Sequence, residues 1–561
     1  MDPARRRRLR LPVVLTCNFL VLAFVLSCCN PPKPAAIHAT ISLCAVDVAR
    51  AADFPNDACY TGTFHATGAQ QALHITAVDK NGTALPNAQI KVTVAGANAR
   101  SDSVTTDASG QATYQYSGSH TGTDTVSATL GSDSAAKSAH PAVIHWLAQQ
   151  HVTHPVVLVH GIQEDATDFA HQFDPSVVDS DQASDGSKQT WTALIEALKL
   201  TYDPAFMKAF CYVDDVAWRT TPSACPADEA ALRDCDPSLP PSSSGPPYPC
   251  ISQGSVDESA VALAHVVVDL SAAAGGKPVT LLAYSMGGAV TRTLLAGCLN
   301  SAASDQSLCQ QAAGMVNDTI FLDGAQQGSW LLTVKHGFNA ATLSVQNITP
   351  TALSAFSSVL PLIEQNIYGV VNQKLGLNLN NPAETDLTPQ SANILAHNSV
   401  QPATNVQIYT FYGDVEFGMD VTYFIYTLPA NAYLPMGDLV MLAQDDNPLA
   451  SPLWGGGSLC DSCGPLVNGY HENGRYHAWA LRQKYTVNIN GLVPILSVPD
   501  AVSAFQQVVN SPVQHLNVSQ PVTQAPGTAI QVADSTHLAG TATTDMPYEI
   551  LLVLMHGDGL I

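Results

Sequence analysis

Charged residues are scarce in this chain, and basic ones are scarcer still. Only 12 % of its 561 residues are Asp, Glu, Lys or Arg. A soluble surface must therefore be built mostly from Ser, Thr, Asn, Gln and Gly. Lys and Arg number 23 against 46 Asp and Glu, for a net charge of −23. The first ten residues hold five of the basic groups and one of the acidic, leaving 18 against 45 in the rest. So acidic a chain repels nucleic acid and anionic membranes, which argues against a nucleic-acid partner. Metal-ligand spacing of the HExxH kind is also missing. HENGRYH (471–477) brings two histidines within six residues, but Gly and Asn between them do not suit the helix that would align the rings. CDSC (460–463) has no second CxxC and reads as a small structural loop, with a redox or zinc pair as the alternative. No cofactor and no metal are expected.

The chain does have length enough for two or three domains and a hydrophobic content of 46 %, ample for a packed core. Its N-terminus reads as an export signal. Arginines at 5–8 and 10 precede Leu11 to Ser27, seventeen residues without a charge. VLSCC then places a small residue before Cys28. The segment 1–28 resembles a bacterial lipoprotein signal with Cys28 as the lipidated residue. Ordinary cleavage and an uncleaved anchor are the alternatives. A secreted or cell-surface location follows. Ten cysteines remain beyond Cys29, an even number that suits disulfides in an exported chain. Proximity favours Cys44 with Cys59, Cys298 with Cys309 and Cys460 with Cys463. Oligomeric state cannot be read from the sequence.

Residues 29–61, rich in Pro and Ala, read as a linker. From 62 to 147 apolar and polar residues alternate between turn signals, as in LHITAVDKNGTALPNAQIKVTVAG and TTDASGQATYQYSG. Short strands at this spacing predict a β-sandwich. The pieces VDKNGTALPNAQIKV, TTDASGQATYQYSG, GTDTVSA and VIHW are similar to invasin-type bacterial immunoglobulin-like modules, which space or present a neighbouring domain. After Trp146 the period changes. Strands such as VVLV and VTLLAYS alternate with helical runs, which predicts a parallel sheet covered by helices over 150–561. Insertions are expected near 220–250, 331–400 and 440–525, the second a helical cap that is either a lid or an ordinary covering.

The central motif is LLAYSMGGAV (281–290). An apolar strand stops at Ser285 and turns, on two glycines, into helix-forming residues. That fits a nucleophile elbow of A-x-S-x-G form, with Ala283 and Gly287 small because backbones pass closely there. The helix start points N–H groups at the site. Met286 is expected to give one oxyanion N–H and Ile162, in the HGI loop after VVLV, the other. His160 reads as a loop histidine bracing that turn. Together VVLVHGI and AYSMGG resemble the small bacterial AxSxG lipases and the wider α/β-hydrolase lipase family. FLDGAQQGS (321–329) and DLTPQSANIL (386–395) fit the same family, the latter as a segment that often precedes the acid-bearing strand. The resemblance implies an α/β-hydrolase fold, an ester or lipid substrate, and hydrolysis through an acyl-enzyme. The triad acid is expected at Asp438, in MGDLVML, with Asp414 and Glu416 as alternatives. The base is expected at His537, on a loop between the strand TAIQVAD and a closing helix in MPYEILLVLM. His471 and His477 are the other candidates, His477 in a run, RYHAWALRQKY, that reads as helical. Two other classes stay open: a binding or adhesion protein without turnover, and an amidase or acyltransferase using the same machinery.

Overall fold

Strict alternation shapes the first part of the chain. The strand Gln70–Asp79 shows it most clearly, burying every second side chain over QQALHITAV. The computed structural model describes residues 39–46, 62–138, 141–161, 187–210, 212, 255–322, 324–329, 382–388, 391–423, 426–428, 433–435, 469–473, 476–490, 522–523, 529–530, 550–555 and 558. Nine strands come first: β1 (Ala39–Val46), β2 (Gly62–Ala66), β3 (Gln70–Asp79), β4 (Gln89–Gly96), β5 (Arg100–Thr105), β6 (Gln111–Ser117), β7 (Gly122–Leu130), β8 (Asp133–Lys137) and β9 (Ala142–Leu147). They form two sheets, β1-β3-β6 and β2-β9-β7-β4-β5, with β8 added to β7. Ile41, Leu73 and Ile75 from one sheet and Val92, Val126 and Trp146 from the other share one buried cluster. A buried carboxylate pins that core. Asp124 accepts from the Asn98 backbone N–H at 2.7 Å, Trp146 Nε1 at 2.8 Å and Tyr116 Oη at 3.2 Å, so its burial is offset by hydrogen bonds.

The linker reading of 29–61 needs one correction. β1 lies inside it, pairs with β3 over eight residues, and sends Ile41 and Ala45 into the core. ATISLCAV has the alternation of a strand, but no turn signal announces it. Its Cys44 is disulfide-bonded; the expected partner, Cys59, lies outside the described residues.

Continuous apolar runs, VVLV and VTLLAY, replace alternation after β9, because these strands are covered on both faces. β10 (Val156–Val159), β11 (Met207–Ala209), β12 (Val279–Tyr284), β13 (Val316–Leu322), β14 (Gln407–Tyr423) and β18 (Tyr476–Asn490) lie in the order β11-β10-β12-β13-β14-β18. All these neighbours run parallel. β17 (Gly469–Asn473) adds an antiparallel edge on β18, and two short strands, β15 (Tyr426–Leu428) and β16 (Tyr433–Pro435), pair with β14. The remaining pair, β19 (Val522–Thr523) and β20 (Ala529–Ile530), stands as its own two-stranded sheet. The helices are α1 (Ser187–Thr201), α2 (Val256–Ala273), α3 (Met286–Leu295), α4 (Ala303–Met315), α5 (Pro382–Asp386), α6 (Ala392–Asn398) and α7 (550–555). A disulfide joins Cys298, just past α3, to Cys309 in α4, with the pairing expected from proximity.

Three expectations change here. YHAWALRQKY, from Tyr476 on, lies in strand β18, not in a helix. Asn473 pairs with Tyr476 across a two-residue connection, and a sequence with Gly474 first in that connection is a hairpin signal that outweighs the helical spacing. Part of the 440–525 stretch, read as an excursion, thereby supplies β17 and β18 to the main sheet. Of TAIQVAD, Ala529–Ile530 are described and form β20, which is not in that sheet; its other residues lie outside the described ones. The closing helix does form. Ile550, Leu551 and Leu554 of α7 are buried in the same core as the strands. Phe64 and Leu147 of β2 and β9 also belong to that core, so the N-terminal unit is packed directly against the second.

Candidate active site

Parallel register places the relevant residues at one edge of the sheet. Tyr284 pairs with Leu322, and Leu322 with Phe411. Ser285 and the loop from Gly324 therefore leave the sheet at the same end, while β14 runs on past Phe411 beside β18. Ser285 itself has φ 51° and ψ −124°, in a region that a β-carbon disfavours, so the turn stores about 1–3 kcal/mol of strain. The residues that follow are hemmed in. A Cβ on Gly287 would overlap Val159 O and come within 2.9 Å of His160 O, and one on Gly288 would meet Gly324 Cα at 2.8 Å. The elbow must be small because neighbouring backbones cross it. Ala283 is fully buried between Val159 of β10 and Phe321 of β13.

The Ser285 carbonyl accepts two hydrogen bonds, from Gly288 N–H at 2.9 Å and from Ala325 N–H at 2.8 Å. The first opens α3. The second ties the Ser285 backbone to the loop after β13. Met286 is the first residue of α3, and its N–H is among the first-turn amides that an α-helix leaves without an intrahelical acceptor. On the other side, Tyr212 Oη donates to His160 O at 2.6 Å, and its ring meets the His160 imidazole edge-on at 4.6 Å. His160 Nδ1 lies 2.9 Å from Gly161 O. These contacts belong to a loop brace.

Of the sequence-predicted residues, Ser285 and Met286 stand together at this edge. Ile162, Asp438 and His537 lie outside the described residues. Asp414 and Glu416 are on β14, three and five residues past Phe411, opposite Arg482 and Lys484 of β18 in register. His477 is on β18, three strands from β12, or about 14 Å across the sheet. Its ring stacks on Tyr409 at 4.8 Å, and Tyr409 is level with Leu282, not with the strand end. His471 lies one strand further out, on β17.

Sequence reasoning missed a buried polar group behind the serine. His397 and Asn398, at the end of α6, reach the Gln326 carbonyl in the loop after β13, at 3.0 and 2.8 Å. Thr293 Oγ1 of α3 lies 2.9 Å from His397 Nδ1. The Arg292 guanidinium, fully buried, donates to Val400 O. Burial first and the Arg292 charge second hold the His397 imidazole down to about 3, so it is neutral at ordinary pH. The only local signal was ILAHN, a polar pair closing an apolar helix.

No protein-family model matches this chain, and no curated protein sequence does. Among solved structures it is similar to the lipase BlEst2 of Bacillus licheniformis in its mature form, at 13 % identity over 46 % of this chain and 65 % of that one, with a TM-score of 0.19. The propeptide form of the same lipase gives 14 % identity, 48 % and 38 % coverage and a TM-score of 0.24. Phospholipase PlaB of Legionella pneumophila gives 12 % identity, 51 % and 50 % coverage and a TM-score of 0.23. The chain thus spans less than two thirds of each. Such low scores leave the hydrolase reading to rest on the sheet order and the serine turn described above.

Proposed function

We propose that this chain is an exported serine hydrolase of carboxylic esters, built on an α/β-hydrolase fold behind an immunoglobulin-like module. The observation that carries the reading is the backbone of Ser285. A non-glycine residue held at positive φ, at the end of a central parallel strand and the start of a helix, is a costly arrangement. Presenting a hydroxyl for attack gives it a purpose. In this reading Ser285 Oγ attacks the ester carbonyl carbon as His537 takes its proton. The oxygen that gains the negative charge accepts from the Met286 and Ile162 N–H groups. Collapse releases the alcohol, protonated by the same histidine, and water then repeats the cycle on the acyl-serine. His537 is supported by its place before α7 and by the distance of His477 and His471 from the serine. For the acid, Asp438 remains the reading from MGDLVML. Asp414 has the register in its favour, since it follows Phe411 at the serine's edge and β14 is the first strand after DLTPQSANIL. Export is supported by the arginine-led N-terminus and by the Cys298–Cys309 disulfide.

The test is a fluorophosphonate followed by peptide mapping. A covalent adduct on Ser285, with hydrolysis of a p-nitrophenyl ester series, supports the enzyme. No adduct on folded protein rejects it and leaves a binding protein. A rate peak at acetate or butyrate, without activation by emulsified lipid, narrows it to a short-chain esterase.

A further inference from the structure

We propose that His397, as its neutral Nε2–H tautomer, is a positioning residue that orients the Met286 N–H through the loop after β13. The inference rests on the reading of Ser285 as nucleophile. The tautomer follows from the partners. Gln326 O is a carbonyl and can only accept, so His397 Nε2 carries the hydrogen across 3.0 Å. Nδ1 is then the acceptor, and Thr293 Oγ1 donates to it across 2.9 Å. Both side chains are buried, at 1 % and 0 % exposure, so neither bond is exchanged for water.

These bonds close a ring. Thr293 lies on α3, whose first residue follows Ser285. His397 joins that helix to Gln326 O. The preceding residue, Ala325, donates its N–H to Ser285 O at 2.8 Å. That carbonyl and the Met286 N–H belong to one planar trans peptide unit, so fixing the C=O direction fixes the N–H direction opposite to it. A carbonyl that accepts hydrogen bonds also makes the N–H of its own unit a stronger donor. The side chains that face His397 are thus arranged to aim and strengthen the amide that would meet the developing oxyanion. Asn398 Nδ2, on the same carbonyl at 2.8 Å, and Ser329 N–H, on Leu387 O at 2.8 Å, hold the rest of the loop against α5 and α6. His397 does not touch the reacting atoms, and its low basicity keeps it out of proton transfer.

The experiment compares His397→Phe, His397→Gln, Thr293→Val and Thr293→Ser in the full chain, with thermal melts as a control for folding. A misaimed oxyanion donor costs less than a deleted one, so His397→Phe should lower kcat by about 10- to 100-fold with KM nearly unchanged. Glutamine returns an N–H near the Nε2 position and should recover most of that loss. Thr293→Val, which keeps the volume, should lower kcat several-fold while Thr293→Ser does not, and this pair decides the matter if His397→Phe fails to fold. The pH profile of kcat/KM should keep its shape in every variant. Unchanged kcat in a folded His397→Phe or Thr293→Val enzyme overturns the proposal, as does a rise in KM alone or a lost ionisation between pH 5 and 9. Fluorophosphonate labelling of Ser285 in the unaltered protein separates the two failures: no adduct sinks the hydrolase reading, whereas labelling with indifferent variants sinks only the role of His397.

Discussion

The main sheet carries a hydroxyl at each end of β12, Thr280 near its start and Ser285 just past its end, and their surroundings differ. At the start of the strands, Thr280 Oγ1 lies 2.8 Å from His154 Nε2, and His154 Nδ1 lies 2.8 Å from Asp558 Oδ1. Hydroxyl, imidazole and carboxylate are linked in the order of a catalytic triad. Yet Thr280 is a fully buried strand residue, about 16 Å from Ser285 along β12, with no strained turn and no helix start beside it. At the other edge Ser285 has the strained turn, the crossing backbones and the N-terminus of α3. A chain of three hydrogen bonds is therefore not a site. What distinguishes the serine edge is a hydroxyl carried on a strained turn with the first-turn amides of α3 beside it, the features that the proposed chemistry needs. The threonine edge is a strut that joins the lead into β10, the start of β12 and the end of the chain, where Tyr202 Oη also holds Asp558 at 2.8 Å.

The largest effect expected from breaking this contrast is at Ser285. Ser285→Ala should lower kcat by roughly 10⁴- to 10⁶-fold, as removal of the nucleophile does in serine hydrolases. It should leave folding intact, because the residue's backbone bonds do not use the hydroxyl. Steady-state ester hydrolysis with a melting curve checks both halves. Retained activity would move the nucleophile elsewhere.

The next effect is at the acid. Asp414→Asn and Asp438→Asn should part company, one losing about 10³- to 10⁴-fold in kcat and the other staying near the parent rate. Loss at Asp438 would support the reading from MGDLVML, and loss at Asp414 would support the register at Phe411. Two bystanders would send the search to Glu416.

Much of this was legible in the sequence, and for identifiable reasons. AYSMGG could be read because strain leaves a composition behind: only small residues fit where Gly287 and Gly288 meet other backbones. VVLV and VTLLAY could be read because strands buried on both faces are continuously apolar. β18 could not, because YHAWALRQKY spaces its apolar residues equally well for a helix, and its pairing with β14 overrides that local preference. β1 was hidden in a Pro- and Ala-rich stretch. The His397 group and the Thr280 strut were illegible in principle. Their members lie far apart along the chain, at 293, 326 and 397, or at 154, 280 and 558, and only the fold brings them together.

A smaller effect lies beside the strut. The Asp318 carboxyl, near the start of β13, is raised to about 6, by burial first and then by the Asp558 charge. A carboxyl whose folded pKa exceeds its unfolded value stabilises the fold only while protonated. That contribution is complete below about pH 4 and is lost as pH rises through about 6. Asp318→Asn should therefore stabilise the protein above pH 6, by at most about 3 kcal/mol, and make no difference near pH 4. Chemical denaturation at pH 4, 5.5 and 7.5 measures it. A gain of equal size at all three values would mean that ionisation is not the cause.

The smallest effect is at the strut itself. Thr280→Val keeps the shape of the side chain and removes the oxygen that partners His154 Nε2. The imidazole would keep its bond to Asp558 but leave one buried nitrogen without a partner, a cost of about 1–3 kcal/mol. β12 should otherwise be undisturbed, since Val suits a strand buried on both faces. Hydrolysis should proceed at the parent rate, because Ser285, its turn and its amides lie at the other end of the strand. Unfolding in denaturant should show a lower midpoint with an unchanged slope. If Thr280→Val instead lost activity by orders of magnitude while folding normally, the threonine edge would be chemical after all, and the difference drawn between the two edges would fail.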